Sequence, residues 1–310
     1  PNFNSADNIS GQGTNGDVSI SVVQPDNKIL IAGDFTSYNG VAVNRLARLN
    51  ENGKQDNNFK VGNGANGAIN SIALQTDNKI IIAGDFNIYN TTVANKIARL
   101  NVNGKIDNSF KSGVGANSPI YQVVNQPDNK ILVAGHFTTY NSVGVDGLVR
   151  LNSNGSLDNS FHAVISDSLI DLQQIALQPD GKIVVGGLWS ISDYPWYGAI
   201  RLNADGSRDY SFSGSFSSSG DIHATIVKLK LEADGNILMA VQLRDAGSSV
   251  PYHGILKRLD NTGAIINSGG YFRMSDLQLQ PDGKIILTGF SNEDWYVYKR
   301  QVIRINPNFE

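Results

Sequence analysis

The sequence predicts an all-β fold of repeated units, and three observations lead to this prediction. A turn-and-strand phrase occurs in six copies, at spacings of 48 to 54 residues. A second phrase, Arg-Leu-Asn or a close variant, keeps step with the first. No segment shows the sustained 3.6-residue hydrophobic period of an amphipathic helix. Such internal repeats determine the architecture, so they precede any assignment of single elements.

The first phrase reads "QPDNKILIAGDF" in its first copy, at 24–35. The Asp of its turn recurs as Asp26, Asp77, Asp128, Asp180, Asp234 and Asp282. The second phrase begins with an Arg that follows at a nearly constant distance, as Arg48, Arg99, Arg150, Arg201, Arg258 and Arg304. We expect one domain over 1–310, with approximate repeats 4–59, 60–110, 111–161, 162–212, 213–266 and 267–310, the last completed by 1–3.

Each repeat contains four β-strand patterns, which the second copy shows clearly. "AINSIALQ" (68–75) has the mixed alternation of a strand, and the turn "TDNK" predicts a tight hairpin. "KIIIAGDF" (79–86) is apolar on both faces, as a central strand between neighbouring sheets requires. "NKIARLNVNG" (95–104) is a third strand ending in a hairpin signal, and "IDNSF" (106–110) predicts a short fourth strand.

Four short strands repeated about every 51 residues are typical of a β-propeller blade. We therefore predict a single β-propeller of six four-stranded blades. "PNF" (1–3) aligns with "NNF" (57–59), and the chain ends just after a third strand, "QVIRINPN" (301–308). The N-terminal segment is expected to supply the outer strand of the last blade and so close the ring without exposed edges.

The pairing of "QPDGKIVVGG" with "RLNADGSRDYSF" in the fourth copy resembles the delta-60 repeat, a bacterial repeat of this length assigned to β-propellers. The resemblance is specific in copies one to four and looser in the last two, where "NILMAV" (236–241) and "NTGAIINSGGYF" (261–272) depart from the pattern. It implies a propeller scaffold in a secreted or surface-attached bacterial protein. It carries no catalytic residues.

Composition and charge narrow the classes of partner. Net charge is −3, charged residues make up 17% of the chain, and no Lys/Arg-rich run occurs, so we expect no nucleic-acid partner. No apolar stretch approaches the roughly 20 residues of a membrane span, so membrane insertion is not expected. Cysteine is absent, which excludes disulfides and thiolate chemistry.

The chain begins with Pro rather than Met and is rich in Asn, Ser, Gly and Thr. This predicts an extracellular or cell-surface protein, either a processed form or a piece of a larger surface protein or assembly.

One repeated stretch, "NSNGSLDNSF" (152–161), overlaps a calcium-loop pattern. Asn is neutral where the strongest ligands are carboxylates, and no Glu stands at the twelfth position, so we interpret the stretch as a hairpin rather than a metal site. Its Asp residues are expected to cap backbone N–H groups or to pair with the repeated Arg. Its Phe residues are expected to plug between blades. These residues are Asp56, Asp107, Asp158 and Asp209, and Phe59, Phe110, Phe161 and Phe212.

Ligand-binding residues are expected on the face that carries the second-to-third-strand loops, because those loops vary whereas the hairpins are nearly uniform. Aromatic side chains beside Asn, Asp and Ser suit a glycan or a protein partner, although they could also only cap the blades. The candidate ligand-binding residues are Tyr38, Asn39, Tyr89, Asn90, Tyr140, Asn141, Trp189, Tyr194, Trp196, Tyr197, Trp295 and Tyr296.

Catalytic signatures are missing: no H-E-x-x-H, no G-x-S-x-G and no phosphate loop occurs. The best carboxylate candidates are Asp34 and Asp85, aligned with His136, but later repeats carry only apolar or amide residues there.

We therefore expect no catalytic residues, no metal and no cofactor. The predicted function is a non-catalytic binding or structural module, adhesin-like or part of an assembly. The alternatives are a lectin-like carbohydrate-binding propeller and a polysaccharide-active hydrolase or lyase.

Overall fold

A computed structural model describes residues 13–165, 169–189, 196–217, 222–245, 253–294 and 297–310. It divides the chain into two compact units, Pro1–Phe161 and His162–Glu310. The described residues contain only β-strands, turns and bends, and they include no helix capable of spanning a membrane. The all-β prediction is confirmed. Residues 1–3, expected to close a ring, lie outside the described residues.

Unit 1 repeats one arrangement three times. A first, a central and a third strand form an antiparallel three-stranded sheet, and a two-stranded ribbon is inserted between the central and third strands. The strands are β1 (Val18–Val23), β2 (Ile29–Gly33), β3 (Ser37–Tyr38), β4 (Val41–Ala42), β5 (Leu46–Leu49), β6 (Ile69–Leu74), β7 (Ile80–Gly84), β8 (Ile88–Tyr89), β9 (Thr92–Val93), β10 (Ile97–Leu100), β11 (Ile120–Asn125), β12 (Ile131–Gly135), β13 (Thr139–Tyr140), β14 (Val143–Gly144) and β15 (Leu148–Leu151).

Unit 2 also contains three first–central–third arrangements, with longer strands. The two sheets at the start of the unit are joined by one pairing, Leu188 with Thr225. The strands are β16 (Leu169–Leu177), β17 (Ile183–Trp189), β18 (Trp196–Leu202), β19 (Ser215–Ser217), β20 (Ile222–Leu231), β21 (Ile237–Asp245), β22 (His253–Leu259), β23 (Ile265–Tyr271), β24 (Arg273–Leu279), β25 (Ile285–Asp294) and β26 (Val297–Ile305).

The register is the same in every repeat, which confirms that the six repeats are structural copies of one another. The first residue of each central strand pairs with the apolar residue after the repeated Arg. The pairs are Ile29–Leu49, Ile80–Leu100, Ile131–Leu151, Ile183–Leu202, Ile237–Leu259 and Ile285–Ile305. The central strands β7 and β12 are buried along their whole length, as their apolar sequences predict. Core packing on both faces of these strands holds each repeat together.

The predicted hairpin between the first and central strands is present in all six copies. In the second copy, Asp77 Oδ1 accepts the Lys79 N–H at 3.1 Å, and Asn78 adopts a left-handed φ of 61°. Gly takes the same place in the last three copies, for example Gly181 with a φ of 85°. Asn and Gly occupy this position because they tolerate the left-handed conformation that the turn requires.

The fourth strand differs from the prediction in the first four repeats. "IDNSF" was expected to be a strand, but in the second repeat it contributes one bridge, Leu100 with Ile106. Asp107 Oδ1 then accepts hydrogen bonds from the Ser109 N–H and hydroxyl, which turns the chain away from the sheet. In the fifth repeat the equivalent position is Ile266, and a seven-residue fourth strand, β23, forms.

The repeated Arg ties strands and repeats together, and it pairs with the repeated Asp as predicted. Arg99 Nε donates to Asp107 Oδ2 at 2.8 Å, and its Nη1 donates to the Ser153 carbonyl of the following repeat at 2.6 Å. Its guanidinium carbon lies 5.0 Å from the centre of the Phe110 ring. The same Arg, Asp and Phe contacts recur in three other repeats, as Arg48–Asp56–Phe59, Arg150–Asp158–Phe161 and Arg201–Asp209–Phe212. The repeated stretch is therefore structural.

Candidate functional site

A row of polar side chains follows the central strands of unit 1, at the end opposite the uniform hairpins. Asp34 follows β2, Asp85 follows β7 and His136 follows β12, each at the same position of its repeat. All three side chains are exposed. We call these three residues the strand-end row.

The local backbone explains why this position projects into solvent. A Cβ on Gly84 would overlap the Ala68 carbonyl oxygen, so only Gly fits where the first strand bulges against the central strand. The Asp85 N–H then donates to the Ala68 carbonyl at 2.8 Å, and the Phe86 side chain is fully buried. Because neighbouring side chains of an extended chain point to opposite sides, burying Phe86 turns Asp85 outward.

Each Asp of the row forms an ion pair with a cationic residue that immediately precedes the third strand of its repeat. Arg45 Nε lies 3.0 Å from Asp34 Oδ1, and Lys96 Nζ lies 2.7 Å from Asp85 Oδ1. Both cationic residues have left-handed backbones, with φ of 67° and 76°. Residues with long side chains rarely adopt this conformation, which costs roughly 1–3 kcal/mol where the surrounding structure imposes it.

In the third repeat, both the position of the Asp and the position of its cationic partner are occupied by other residues. His136 replaces the Asp, and Gly147, with a φ of 72°, replaces the cation. The backbone is unchanged, since the Gly135 N–H donates to the Gly147 carbonyl at 3.0 Å just as the Gly84 N–H donates to that of Lys96 at 2.9 Å. Sequence reasoning identified the row but missed its cations. The paired change of both positions between repeats was the signal that could have revealed them.

The tyrosines of the recurrent Tyr-Asn pairs have a packing role, whereas ligand binding by Asn39, Asn90 and Asn141 stays a prediction. The three tyrosines are buried, and Tyr38 and Tyr89 donate to the carbonyls of the hairpin glycines Gly53 and Gly104 at 2.7 and 3.0 Å. Burial raises the pKa of Tyr89 and of Tyr140. A ring enclosed in this way has no open face to stack on a sugar.

The asparagines of these pairs form the tips of the ribbons. They have left-handed backbones, and each side-chain oxygen accepts a backbone N–H from the segment before the repeat's first strand. The acceptor–donor pairs are Asn39–Gly13, Asn90–Gly64 and Asn141–Gly115.

The aromatic candidates of the later repeats are only partly described. Trp189 ends β17 and Trp196 and Tyr197 begin β18, so the backbone brings them to one end of that strand pair. Tyr194, Trp295 and Tyr296 lie outside the described residues. Ligand binding by these six residues stays a prediction. Among the residues that the structure describes, no three His, Cys, Asp or Glu side chains are grouped as for a metal ion.

Four segments of the chain match one family model, the "Domain of unknown function (DUF5122) beta-propeller". They are residues 24–59, 75–110, 126–161 and 178–212, the first four copies of the repeat. Each match starts at the Gln before the first hairpin and ends at the Phe that packs under the repeated Arg. No curated protein sequence matches the chain.

Solved structures similar to the chain include a gluconolactonase from Xanthomonas campestris. It matches with a TM-score of 0.51 and 14% identity, over 90% of this chain and 84% of that one. An ancestral GH74 enzyme matches with a TM-score of 0.49 and 15% identity, over 94% of this chain and 42% of that one. A glucose dehydrogenase matches with a TM-score of 0.34 and 10% identity, over 77% and 96%.

The prediction of a non-catalytic binding or structural module is not supported, because the gluconolactonase of similar fold is described as an enzyme. That prediction relied on missing sequence motifs, whereas a functional site can be assembled from residues distant in the chain and need carry no local motif. At these identities the likeness shows the fold, and the chemistry has to be argued from the site. The chain is an all-β protein built from β-propeller repeats.

Proposed function

We propose that this chain is a propeller enzyme that hydrolyses a lactone or related ester of a sugar, with Asp85 and His136 as its proton-transferring groups. One observation carries the proposal: an exposed carboxylate, oriented by Lys96, and an imidazole occupy the same position of neighbouring repeats.

The two groups suit ester hydrolysis. A carboxylate can take a proton from water as the water oxygen attacks the carbonyl carbon, and a histidine can give a proton to the leaving oxygen near neutral pH. The attack forms a bond to the carbonyl carbon and breaks its bond to the ring oxygen, so the products are the free acid and the hydroxyl group. The Lys96 contact engages Asp85 Oδ1 and restrains the direction of the carboxylate.

Backbone strain at this end of unit 1 also supports a functional role. Arg45 and Lys96 adopt left-handed backbones where Gly147 serves in the third repeat. Strained residues concentrate at sites of function, because stability alone would favour their replacement. The gluconolactonase has a similar fold over most of both chains, and its substrate class guides the choice of a lactone.

The test is acid release from a panel of sugar lactones and esters, followed in a pH-stat and corrected for spontaneous hydrolysis. We expect turnover by the wild-type chain and a loss of about 100-fold in Asp85→Asn and in His136→Gln. Asp77→Asn is the matched control, since Asp77 is an exposed carboxylate in the hairpin of the same repeat. A wild-type chain that never exceeds the spontaneous rate, or substitutions without effect, would refute the proposal.

The remaining expectations are proposals of their own. Trp189, Tyr194, Trp196, Tyr197, Trp295 and Tyr296 are proposed contacts for a glycan, or for a protein partner, on the loop face. Flat rings suit sugar faces, and Tyr and Trp are common interface anchors. An extracellular or surface location and membership of the delta-60 repeat are supported by composition and by the repeat length. A glycan array with Trp196→Ala beside the wild-type chain tests the first of these.

A further inference from the structure

Strand β20 carries two lysines on one side. Lys228 and Lys230 alternate with Leu229, which is buried in the core with residues of β21. The pairing of Lys228 with Ala240 and of Lys230 with Leu238 fixes their register. Because side chains two residues apart on a strand share a face, both lysines lie on the side opposite Leu229.

A carboxylate on β24 pairs with one of these two lysines. Lys228 Nζ lies 2.9 Å from Asp276 Oδ1 on β24, and the Asp276 side chain is about half exposed. Lys230 makes no ion pair within 4.0 Å among the described residues. Burial, together with the neighbouring charge of Lys228, lowers the pKa of Lys230, and Asp276 opposes this only in part.

Lys228, Lys230 and Asp276 together carry a charge of about +1, and the two lysines are only partly exposed to solvent. Two like charges close together in a place of reduced solvation are unfavourable unless an anion balances them. The fold itself does not require them. The equivalent residues are Ser71 and Ala73 in the second repeat, and Gln174 and Ala176 in the fourth.

We propose that Lys228 and Lys230 form a binding site for a small oxyanion, a carboxylate or a phosphate, on the side of β20 opposite Leu229. The ammonium group is a compact charge with three donors, so two of them can bind two oxygens of one anion. Asp276 restrains Lys228 and leaves Lys230 as the main contact. The site uses no residue of the strand-end row, and the proposal does not depend on the proposed hydrolysis.

Calorimetric titration at low ionic strength tests the site, with gluconate and inorganic phosphate as probes and glucose as the neutral control. We expect heat from at least one oxyanion, none from glucose, and at least tenfold weaker binding in Lys230→Met. Lys105→Met removes an exposed lysine from a hairpin of unit 1 and serves as the matched control. Heat from gluconate alone would identify a carboxylate site, and heat from phosphate alone a phosphate site.

Thermal unfolding gives a second readout that does not depend on a calorimetric signal. The melting temperature of the wild-type chain should rise with the bound oxyanion, and that of Lys230→Met should not. Lys230→Gln provides a polar replacement if the Met variant fails to fold. The proposal is overturned if neither oxyanion binds, or if both Lys230 variants bind as tightly as the wild-type chain.

Discussion

The guanidinium carbon of Arg258 lies 4.7 Å from the centre of the Phe309 ring. In the first four repeats this ring comes from the same repeat, eleven residues after the Arg, as Phe59 does for Arg48. The fifth repeat has Gly269 at that position, and the sixth has Phe309 where the earlier copies have the tip glycine, such as Gly104. Phe and Gly have thus exchanged places between repeats, and the contact is preserved.

The acid partner of Arg258 has moved as well. Glu232, at the end of the first strand, contacts Arg258 Nε at 2.6 Å, whereas the earlier repeats use an Asp eight residues after the Arg. Nη1 of Arg258 still donates to a carbonyl of the next repeat, that of Pro307, at 2.6 Å. Arg258 therefore keeps the same three kinds of contact with different residues.

Removing the Phe309 ring should destabilise unit 2. Phe309→Ala loses the contact with Arg258 and part of the apolar packing at the chain's C-terminal end, at a cost of about 2 kcal/mol in the free energy of unfolding. Thermal unfolding should show a melting temperature lower by roughly 5 °C. Tyr210→Ala, which removes a ring that is 88% exposed, should leave it unchanged. Equal effects of the two substitutions would contradict the role of Phe309.

Arg99→Met should unfold at a clearly lower temperature. The substitution leaves the Asp107 carboxylate without its buried partner and the Ser153 carbonyl without its donor, which together cost roughly 3 kcal/mol. Urea unfolding measures the change in free energy, and Lys105→Met on the same hairpin is the control. A loss below about 0.5 kcal/mol would mean that Arg99 does not connect the two repeats.

The stability of unit 2 should depend on pH through Asp209. Hydrogen bonding from Ser211, with Lys182 and Arg201 nearby, holds the pKa of Asp209 below its usual range, although burial opposes this. A lowered folded-state pKa contributes stability that is present above the unfolded-state value of about 4 and is lost as the pH falls towards the folded-state value.

Asp209→Asn should therefore cost roughly 2 kcal/mol at pH 7, and the gap to wild type should narrow below about pH 5. Urea unfolding between pH 3 and pH 8 measures this, with Asp180→Asn as a control in the same repeat. A gap that stays constant across the whole range would exclude this role of the Asp209 charge.

Lys96→Gly should leave the stability of the chain almost unchanged while lowering the rate of hydrolysis. The left-handed backbone of Lys96 suits Gly, so relief of strain offsets the loss of an ion pair to a half-exposed carboxylate, and the melting temperature should stay within about 2 °C.

Hydrolysis should fall at least tenfold in the same variant if Lys96 orients Asp85. The reciprocal change, Gly147→Lys, imposes the strain in the third repeat and should lower the melting temperature by a few degrees. Full activity in Lys96→Gly would remove Lys96 from the proposed site.

The first four repeats were predictable because the local sequence preferences for turns and strands agree with the fold there. The hairpin Asp, the left-handed Asn or Gly and the apolar central strand each have one physical role wherever they occur, so their recurrence specifies the same sheet. The fourth strand was not predictable in the same way. Whether "IDNSF" extends or turns depends on a hydrogen bond that Asp107 Oδ1 accepts from the Ser109 N–H, and strand propensity does not contain that bond.

The strand-end row, likewise, was predictable only in part from the sequence. The sequence alone determined that the chain is an all-β array of repeats, and it placed Asp34, Asp85 and His136 at equivalent positions, because periodicity is a property of the chain. Only the tertiary structure showed that Tyr38, Tyr89 and Tyr140 are enclosed, that Arg45 and Lys96 hold the row, and that Phe309 of the sixth repeat supplies the ring for Arg258 of the fifth. Those contacts join residues distant in the chain, and packing in three dimensions decides which of them form.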